Sequence, residues 1–345
     1  MSSFMLKADV IWSSSHLFAK DSGTASVALN NSDDVFVMYG NKNSKLLFNF
    51  GKYVNIGTSI TWTMPGCMVY NNDNDTGVTP AVAMNDNGDV IEVHKHGKIH
   101  QPNDKLYYNT GKLTSDDQGT MSFKWGNDIA IYLKHIGKNA HYPSVAINNS
   151  DQIAVAYQKK YINDIQDYKV GIYTLFGQLC HDGTVKWGKC NFYKSGQHSS
   201  ISLNNSGNIV ITYSGDSDKN KKVYSGEGQI DSNGKVTWGG KHYDHIPYDN
   251  KKKDLRNSVV LNVDGVIIDE LCSATDGSNI SYIVGQFRTH DGGQMEEIHW
   301  GHHEINGSYG SSVALAMNDK GHFVDVHYNS HHKAFYSKTG FITNS

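Results

Sequence analysis

The chain has 345 residues, and its 31 Lys and Arg against 34 Asp and Glu give a formal net charge of −3. Only two of the basic residues are arginines, Arg256 and Arg288, so we expect no nucleic-acid partner. No run of about twenty apolar residues is present, and the first residues lack a basic segment followed by an apolar one. We therefore expect no insertion into a membrane, and either a cytoplasmic protein or one released without a Sec-type leader.

One motif recurs six times along the chain. Each copy contains a tryptophan and, further on, a segment of the kind Ser26 to Asn30, Ser-Val-Ala-Leu-Asn. The six tryptophans are Trp12, Trp62, Trp125, Trp187, Trp238 and Trp300. The six closing asparagines, called the anchor asparagines below, are Asn30, Asn85, Asn148, Asn204, Asn262 and Asn318. The anchors recur at similar intervals with no linker between them, which predicts six units of one kind in a single domain over residues 1–345.

The fourth repeat shows the predicted elements in chain order. Residues 200–204 form a short strand, 205–207 a turn, and 208–213 a second strand rich in β-branched and aromatic residues, which is a hairpin pattern. A polar loop leads to a third strand, and a second turn leads to a fourth strand at 235–238. Four antiparallel strands per repeat predict a propeller blade. The expected fold class is therefore all-β, a six-bladed β-propeller.

The phase of the repeat also predicts how the ring closes. Each of the first five anchors is followed by a tryptophan before the next anchor, but the chain ends after Asn318 without one. The segment at the start of the chain that ends at Trp12 has the length needed to complete this last unit, and it supplies the missing tryptophan. We therefore expect the N-terminal strand 8–12 to complete the last blade, which closes the ring and removes its exposed sheet edges.

The candidate ligand contacts lie on one rim of the predicted ring. Nine residues after the anchor, at the end of the second strand, five of the six repeats have an aromatic residue or a histidine: Tyr39, His94, Tyr157, Tyr213 and His327. Connections between repeats add His141, Tyr193 and His198. Aromatic faces beside polar groups suit the stacking and hydrogen bonding of a sugar ring. These residues are candidate glycan contacts between blades, or alternatively they cap the interblade core.

Two of these histidines have an acidic neighbour on the same strand face. Glu92 precedes His94 by two residues, and Asp325 precedes His327 by two. Such a pair could contact a ligand, poise a general base, or form a buried polar bridge between sheets. Glu92 and Asp325 therefore join the candidate ligand contacts.

The sequence contains no motif that defines a catalytic or metal site. It lacks GxSxG and a P-loop, and two arginines cannot supply the three that a sialidase uses. The histidines show no spacing that recurs between repeats, so we predict no metal and no cofactor. A carboxylate-pair glycosidase stays open, because Glu296, Glu297 and Glu304 crowd the fifth repeat.

The six repeats resemble those of the propeller lectins, a group that includes tachylectin-like, tectonin-like and fungal fruiting-body proteins. The resemblance covers the whole chain as architecture and implies glycan sites between adjacent blades. No binding motif is shared, because the six-bladed fucose lectins use an Arg, Glu and Trp set in each site. In this chain the tryptophans lie in the fourth strand, beside Gly126, Gly188, Gly239 and Gly301.

Three functions are open on these grounds. The first is a multivalent carbohydrate-binding protein for glycans or glycoconjugates, acting in defence or cell-surface attachment, whose weak sites together gain roughly 10²–10⁴ in avidity. The second is a protein-interaction platform or a component of a toxin or delivery complex, with one broad patch. The third is a propeller hydrolase with one asymmetric site and a perturbed carboxylate. The sequence determines neither the sugar, nor the number of sites, nor the oligomeric state.

Overall fold

The structure, a computed structural model, describes residues 8–344 except 21–22, 42, 44, 55–58, 64–67, 70–76, 97–104, 117, 128–130, 135, 137, 163–167, 216–221, 246–254, 274–278 and 290–294. Every regular element in this part of the chain is a β-strand. No helix long and apolar enough to cross a membrane occurs in it.

The strands form six antiparallel sheets, one for each repeat. The first two strands, β1 (Ala8–Trp12) and β2 (His16–Ala19), belong to the last blade. Blade 1 contains β3 (Ala25–Leu29), β4 (Asp34–Gly40), β5 (Leu46–Val54), β6 (Ser59–Trp62) and β7 (Met68–Val69). Blade 2 contains β8 (Gly77–Met84), β9 (Asp89–His96), β10 (Leu106–Ser115), β11 (Met121–Trp125) and β12 (Ile131–Tyr132). Blade 3 contains β13 (Ala140–Ile147), β14 (Gln152–Ile162), β15 (Tyr168–Leu179), β16 (Val185–Trp187) and β17 (Asn191–Ser195). Blade 4 contains β18 (Gln197–Leu203), β19 (Asn208–Ser214), β20 (Val223–Ile230) and β21 (Val236–His245). Blade 5 contains β22 (Leu255–Leu261), β23 (Val266–Ser273), β24 (Asn279–Thr289) and β25 (Met295–Tyr309). Blade 6 contains β26 (Ser312–Met317), β27 (His322–Asn329) and β28 (Ala334–Asn344).

Each anchor asparagine fixes the turn between the first two strands of its blade. In blade 4, Oδ1 of Asn204 accepts hydrogen bonds from the backbone N–H groups of Ser206 (3.1 Å) and Asn208 (2.9 Å). Its Nδ2 donates to the backbone oxygen of Asn262, the anchor of the next blade, at 2.9 Å. The turn also needs Gly207, whose φ of +81° is unfavourable for residues with a Cβ. One side chain thus shapes a turn and joins two blades.

Each repeated tryptophan lies opposite a glycine of the third strand. The pairs are Trp12 with Gly340, Trp62 with Gly51, Trp125 with Gly111, Trp187 with Gly177, Trp238 with Gly228 and Trp300 with Gly285. A Cβ on Gly228 would lie 2.7 Å from Cε3 of Trp238, far inside van der Waals contact. In this pair, and likewise at Gly177 and Gly285, the indole packs against the backbone only because the facing residue is glycine.

The inner strands β3, β8, β13, β18, β22 and β26 surround a central channel of about 210 Å³. Serines at equivalent positions link these strands across the blade boundaries. The hydroxyls of Ser26, Ser144, Ser200 and Ser258 accept backbone N–H bonds of 2.9 to 3.1 Å from the following blade. Small side chains on this face allow the strands to approach closely, as the sequence predicted.

The predicted closure of the ring is confirmed. β1 pairs antiparallel with β28, from Ala8 opposite Asn344 to Trp12 opposite Gly340. The ring of Trp12 lies 4.7 Å from Phe323 of the same blade and 5.6 Å from Tyr282 of blade 5, centroid to centroid. The fold class is therefore a six-bladed β-propeller whose last blade is completed by the N-terminal strand.

Candidate functional site

The predicted contacts nine residues after the anchors are buried between blades. Tyr157 and His94 have no exposed surface, and Tyr39, Tyr213 and His327 are at most 4% exposed. Burial also raises the pKa of the Tyr157 hydroxyl far above its usual value, with a further contribution from the Cys190 thiol 2.6 Å away. These five side chains belong to the interblade core, and their proposed role in binding a ligand stays a prediction.

The acid–imidazole pairs are also buried, and each lies within one strand. Nδ1 of His94 donates to Oε1 of Glu92 at 2.9 Å, and neither side chain is exposed. Nδ1 of His327 donates to Oδ2 of Asp325 at 2.6 Å, with 2% and 0% exposure. A hydrogen-bonded imidazole makes the burial of each carboxylate possible.

Four of the buried rings stack on an aromatic residue of the neighbouring third strand. The pairs are His94 with Tyr107, Tyr157 with Tyr173, Tyr213 with Tyr224 and His327 with Tyr336, with centroids 5.7 to 6.0 Å apart. The third-strand tyrosines are only partly buried. They were missed in the sequence because cross-strand neighbours depend on register, which the lengths of the intervening loops conceal.

The same rows continue to the outer strand of the blade. Tyr132 pairs with Tyr107 in blade 2, Phe192 pairs with Tyr173 in blade 3, and Leu17 pairs with Tyr336 in blade 6. Phe192 is 50% exposed and Leu17 52% exposed. In blades 3 and 6 the row thus runs from a buried ring on the second strand to an exposed apolar side chain on the outer strand, whereas Tyr132 of blade 2 is partly buried.

Two predicted residues, His141 and His198, lie near the starts of the inner strands β13 and β18 instead. The ring of His198 meets that of Tyr142 edge to face at 5.1 Å, and the guanidinium of Arg256 lies 5.9 Å from the centre of the Tyr142 ring. His141 precedes Tyr142 and is partly buried. Tyr142 and His198 adopt left-handed φ angles of 48° and 51°, next to bulges at the starts of β13 and β18.

Tyr193 lines a groove of about 1550 Å³ between blades 3 and 4. We call this groove the 3–4 cleft. Its lining residues fall in the stretches 150–152, 176–178, 186–194, 205–207 and 230–239. The partly buried ring of Tyr193 lies 4.5 Å from that of Trp238 and 6.0 Å from that of Tyr213, centroid to centroid. The pKa of the Tyr193 hydroxyl is raised, first by burial and then by Tyr213 and Glu227.

The polar groups of the 3–4 cleft surround these rings. Gln152 crosses the floor and donates from Nε2 to the backbone oxygen of Asp231 in blade 4 at 2.7 Å. Gln178, Asn191 and Asn233 add further side-chain amides to the lining. The cleft therefore combines aromatic surface with amide donors and acceptors, which is the combination that holds a saccharide by its apolar face and its hydroxyls.

The neighbouring cleft, between blades 2 and 3 and called the 2–3 cleft below, is smaller and differently charged. It has a volume of about 750 Å³. Its charged lining residues are Asp89, Lys112, Lys124, Asp151 and Asp182. Lys112 is already engaged, since its Nζ lies 2.8 Å from Oδ1 of Asp89. The two clefts are thus built from equivalent strands of the repeat, but their lining residues carry different charges.

The boundary between blades 5 and 6 contains buried carboxylates. Glu270 and Asp325 are both fully buried, and burial together with the charge of Asp325 raises the pKa of Glu270 well above its usual value. A proton on Glu270 lets it donate to Asp325, which accounts for two carboxylate oxygens that otherwise have no partner. Nδ2 of Asn306 donates to Oε1 of Glu270 at 2.9 Å. The side chains of Glu296 and Glu297, singled out in the sequence, lie outside the described residues.

No protein-family model matches the chain, and no curated protein matches its sequence. Solved structures do share its fold. A protein of unknown function from Dyadobacter fermentans has a TM-score of 0.59 at 11% identity, covering 97% of this chain and 98% of that one. The Aleuria aurantia lectin in complex with alpha-methyl-L-fucoside has a TM-score of 0.54 at 12% identity, covering 96% of each chain. The Penicillium chrysogenum alpha-L-arabinanase complexed with arabinobiose has a TM-score of 0.57 at 10% identity, covering 96% and 98%. The chain therefore has the architecture of a propeller lectin, and a glycosidase shares it.

Proposed function

We propose that the protein binds carbohydrate in the clefts between its blades, and that the 3–4 cleft is the main site. The observation that carries this proposal is the juxtaposition in that cleft of the Tyr193 and Trp238 rings with the exposed side-chain amides of Gln178, Asn191 and Asn233. A pyranose offers one apolar face and a set of hydroxyls, and this lining offers a partner for each.

Two further observations support the proposal. The cavity of about 1550 Å³ exceeds the usual size of a small-molecule pocket, so it can hold an oligosaccharide rather than a single sugar. The architecture also occurs in a lectin solved in complex with a fucoside and in an arabinanase complexed with arabinobiose, so both of these proteins have a saccharide bound.

The proposed binding is multivalent when the 2–3 cleft also takes a glycan. Because the linings differ, the two clefts bind with different affinity or to different parts of a glycan. Two sites on one rigid disc gain avidity on a glycan-coated surface only when both can be engaged at once. A role in defence or in attachment to a cell surface follows from such avidity.

The test is a glycan array followed by calorimetric titration of the strongest hit. We expect binding at one or two sites per chain, and Tyr193→Ala should weaken it by about tenfold or more, as for a central aromatic contact. Tyr309→Ala removes another aromatic side chain, 54% exposed and outside the cleft lining, and should leave affinity unchanged. An array without any hit would instead favour a protein-interaction platform.

A glycoside hydrolase is the second candidate, because the boundary between blades 5 and 6 contains an asymmetric pair of carboxyl groups with a perturbed pKa. Against it, Glu270 and Asp325 have no exposed surface, whereas a glycosidase needs both carboxyl groups at the scissile bond. Hydrolysis of aryl glycosides by the protein, abolished by Glu270→Gln, would decide for the enzyme. Retained activity in that variant would place the chemistry elsewhere.

A further inference from the structure

The charged residues of the 3–4 cleft are all of one sign. Four lysines line it, Lys186, Lys189, Lys194 and Lys235, and no aspartate or glutamate is among its described lining residues. All four lysines are exposed, and none of them takes part in an ion pair among the described residues. For a chain of net charge −3, this is a local excess of positive charge.

The acidic residues nearest to the cleft lie outside its lining and are fewer than the four lysines. Glu227 is buried next to Gly239 of the lining, and its charge contributes to the raised pKa of Tyr193. Asp231 turns Oδ1 toward the backbone N–H groups of Asn233 and Lys235, at 2.9 Å each. Asp151 faces the other side of blade 3, where Oδ1 accepts a hydrogen bond from Asn85 at 2.9 Å. Asp182 lines the 2–3 cleft and not the 3–4 cleft, although it interacts electrostatically with Lys186.

The 2–3 cleft provides the internal comparison. Lys124 precedes Trp125 as Lys186 precedes Trp187, so the two lysines occupy equivalent positions. Around Lys124 the lining includes three aspartates, whereas around Lys186 it includes none. The repeated structure of the blades therefore does not account for the excess of lysines, which is specific to the 3–4 cleft when the two clefts are compared.

We infer that the 3–4 cleft binds an anionic saccharide, one that carries carboxylate or sulfate groups. The inference rests on the proposed function, which supplies the sugar contacts. Lys189 and Lys194 line the same cleft as Tyr193, so an oligosaccharide that stacks on the tyrosine can present its acidic substituents to two ammonium groups. A bound saccharide excludes water from only one side of each lysine. Such partly exposed charges increase the specificity and the rate of association more than they increase the affinity.

The experiment compares matched ligands by calorimetry: tetragalacturonate, its carboxyl-reduced neutral counterpart, and a sulfated galactose disaccharide with its unsulfated form. We expect the acidic forms to bind more tightly and to weaken between about 50 and 500 mM NaCl, where screening shortens the reach of charges. Each exposed ion pair is worth about 1.5- to 5-fold in affinity, so Lys189→Glu with Lys194→Glu should weaken the acidic ligands at least about fivefold. Lys20→Glu with Lys45→Glu makes the same change in net charge on the opposite side of the ring and should have no such effect.

The outcomes separate this inference from the proposed function. Equal, salt-insensitive binding of the acidic and neutral forms would overturn the anionic preference and leave the carbohydrate site in place. Absence of binding by every saccharide would overturn both. A preference confined to the carboxylated or to the sulfated arm would identify the acidic group that the cleft accepts. Unchanged far-UV circular dichroism verifies that each charge-reversed variant is folded.

Discussion

Replacement of Trp12 by alanine tests whether the N-terminal strand seals the ring. The indole contacts Phe323 in its own blade and Tyr282 in blade 5, and Nζ of Lys338 lies 5.0 Å from the centre of its ring. Truncation of a large core aromatic costs about 3–5 kcal/mol, and loss of a cation–π contact adds about 0.5–1 kcal/mol. Because Trp12 is only partly buried, we expect a loss of stability near the lower end, about 3 kcal/mol.

Urea denaturation followed by far-UV circular dichroism measures this loss without relying on tryptophan fluorescence. With a denaturant slope of roughly 3 kcal/mol per molar, the midpoint should fall by about 1 M. Ile11→Ala is the matched control, since Ile11 lies on the same strand and is 45% exposed. Its midpoint should fall by less than about 0.3 M, because surface substitutions cost little. Equal shifts for both variants would refute the argument that the indole locks β1 into the ring.

Three further substitutions test the packing and the buried charges. Gly228→Ala places a Cβ 2.7 Å from Trp238 Cε3 and should lower the free energy of unfolding, measured by urea denaturation, by about 1–3 kcal/mol. In the double variant with Trp238→Leu, part of that loss should be recovered. If the losses of the two single variants simply add in the double variant, the contact between the two residues is contradicted. Burial raises the pKa of Asp269 to about 8, so between about pH 4 and 8 the folded state retains a proton that the unfolded state loses. The free energy of unfolding should therefore fall as the pH rises through this range. Asp269→Asn should make this fall smaller, and an unchanged pH dependence in the variant would exclude Asp269 as its source. His94→Ala removes the imidazole from the buried carboxylate two residues earlier and should cost about 3–5 kcal/mol, whereas His96→Ala, at the exposed end of the same strand, should cost less than about 1 kcal/mol.

The fold was predictable because the repeat encodes it redundantly. The anchor asparagines mark the turns, the tryptophans mark the outer strands, and the missing tryptophan after Asn318 indicates the closing strand. The facing glycines, such as Gly228, belong to the same signal and could have been found with it. Their distance from the anchors differs between repeats, however, because the loops differ in length. Only the register of the sheet shows that each one faces an indole.

The candidate site was predictable only in part. The period of a strand placed Glu92 and His94 on one face, and the structure joins them, but periodicity carries no information on how deeply a strand end is covered. The rim residues Tyr39, Tyr157 and Tyr213 are therefore core residues in the structure. Tyr193 does line a cleft, and the lysines that accompany it come from two successive repeats of the sequence. Blade packing brings them together, and no local pattern predicts that.

The six repeats account for the frame, and the differences between them account for the clefts. The residues that recur, the anchors and the tryptophan–glycine pairs, all serve turns, strands or blade contacts, and none of them requires a ligand. The residues that vary give one boundary four lysines, another three aspartates and a third a buried carboxyl pair. We therefore expect the proposed binding sites on this ring to be few and unequal rather than six and equivalent. Calorimetry should give about one or two bound glycans per chain. A gain in avidity from more sites than this requires several copies of the protein to bind the same surface together.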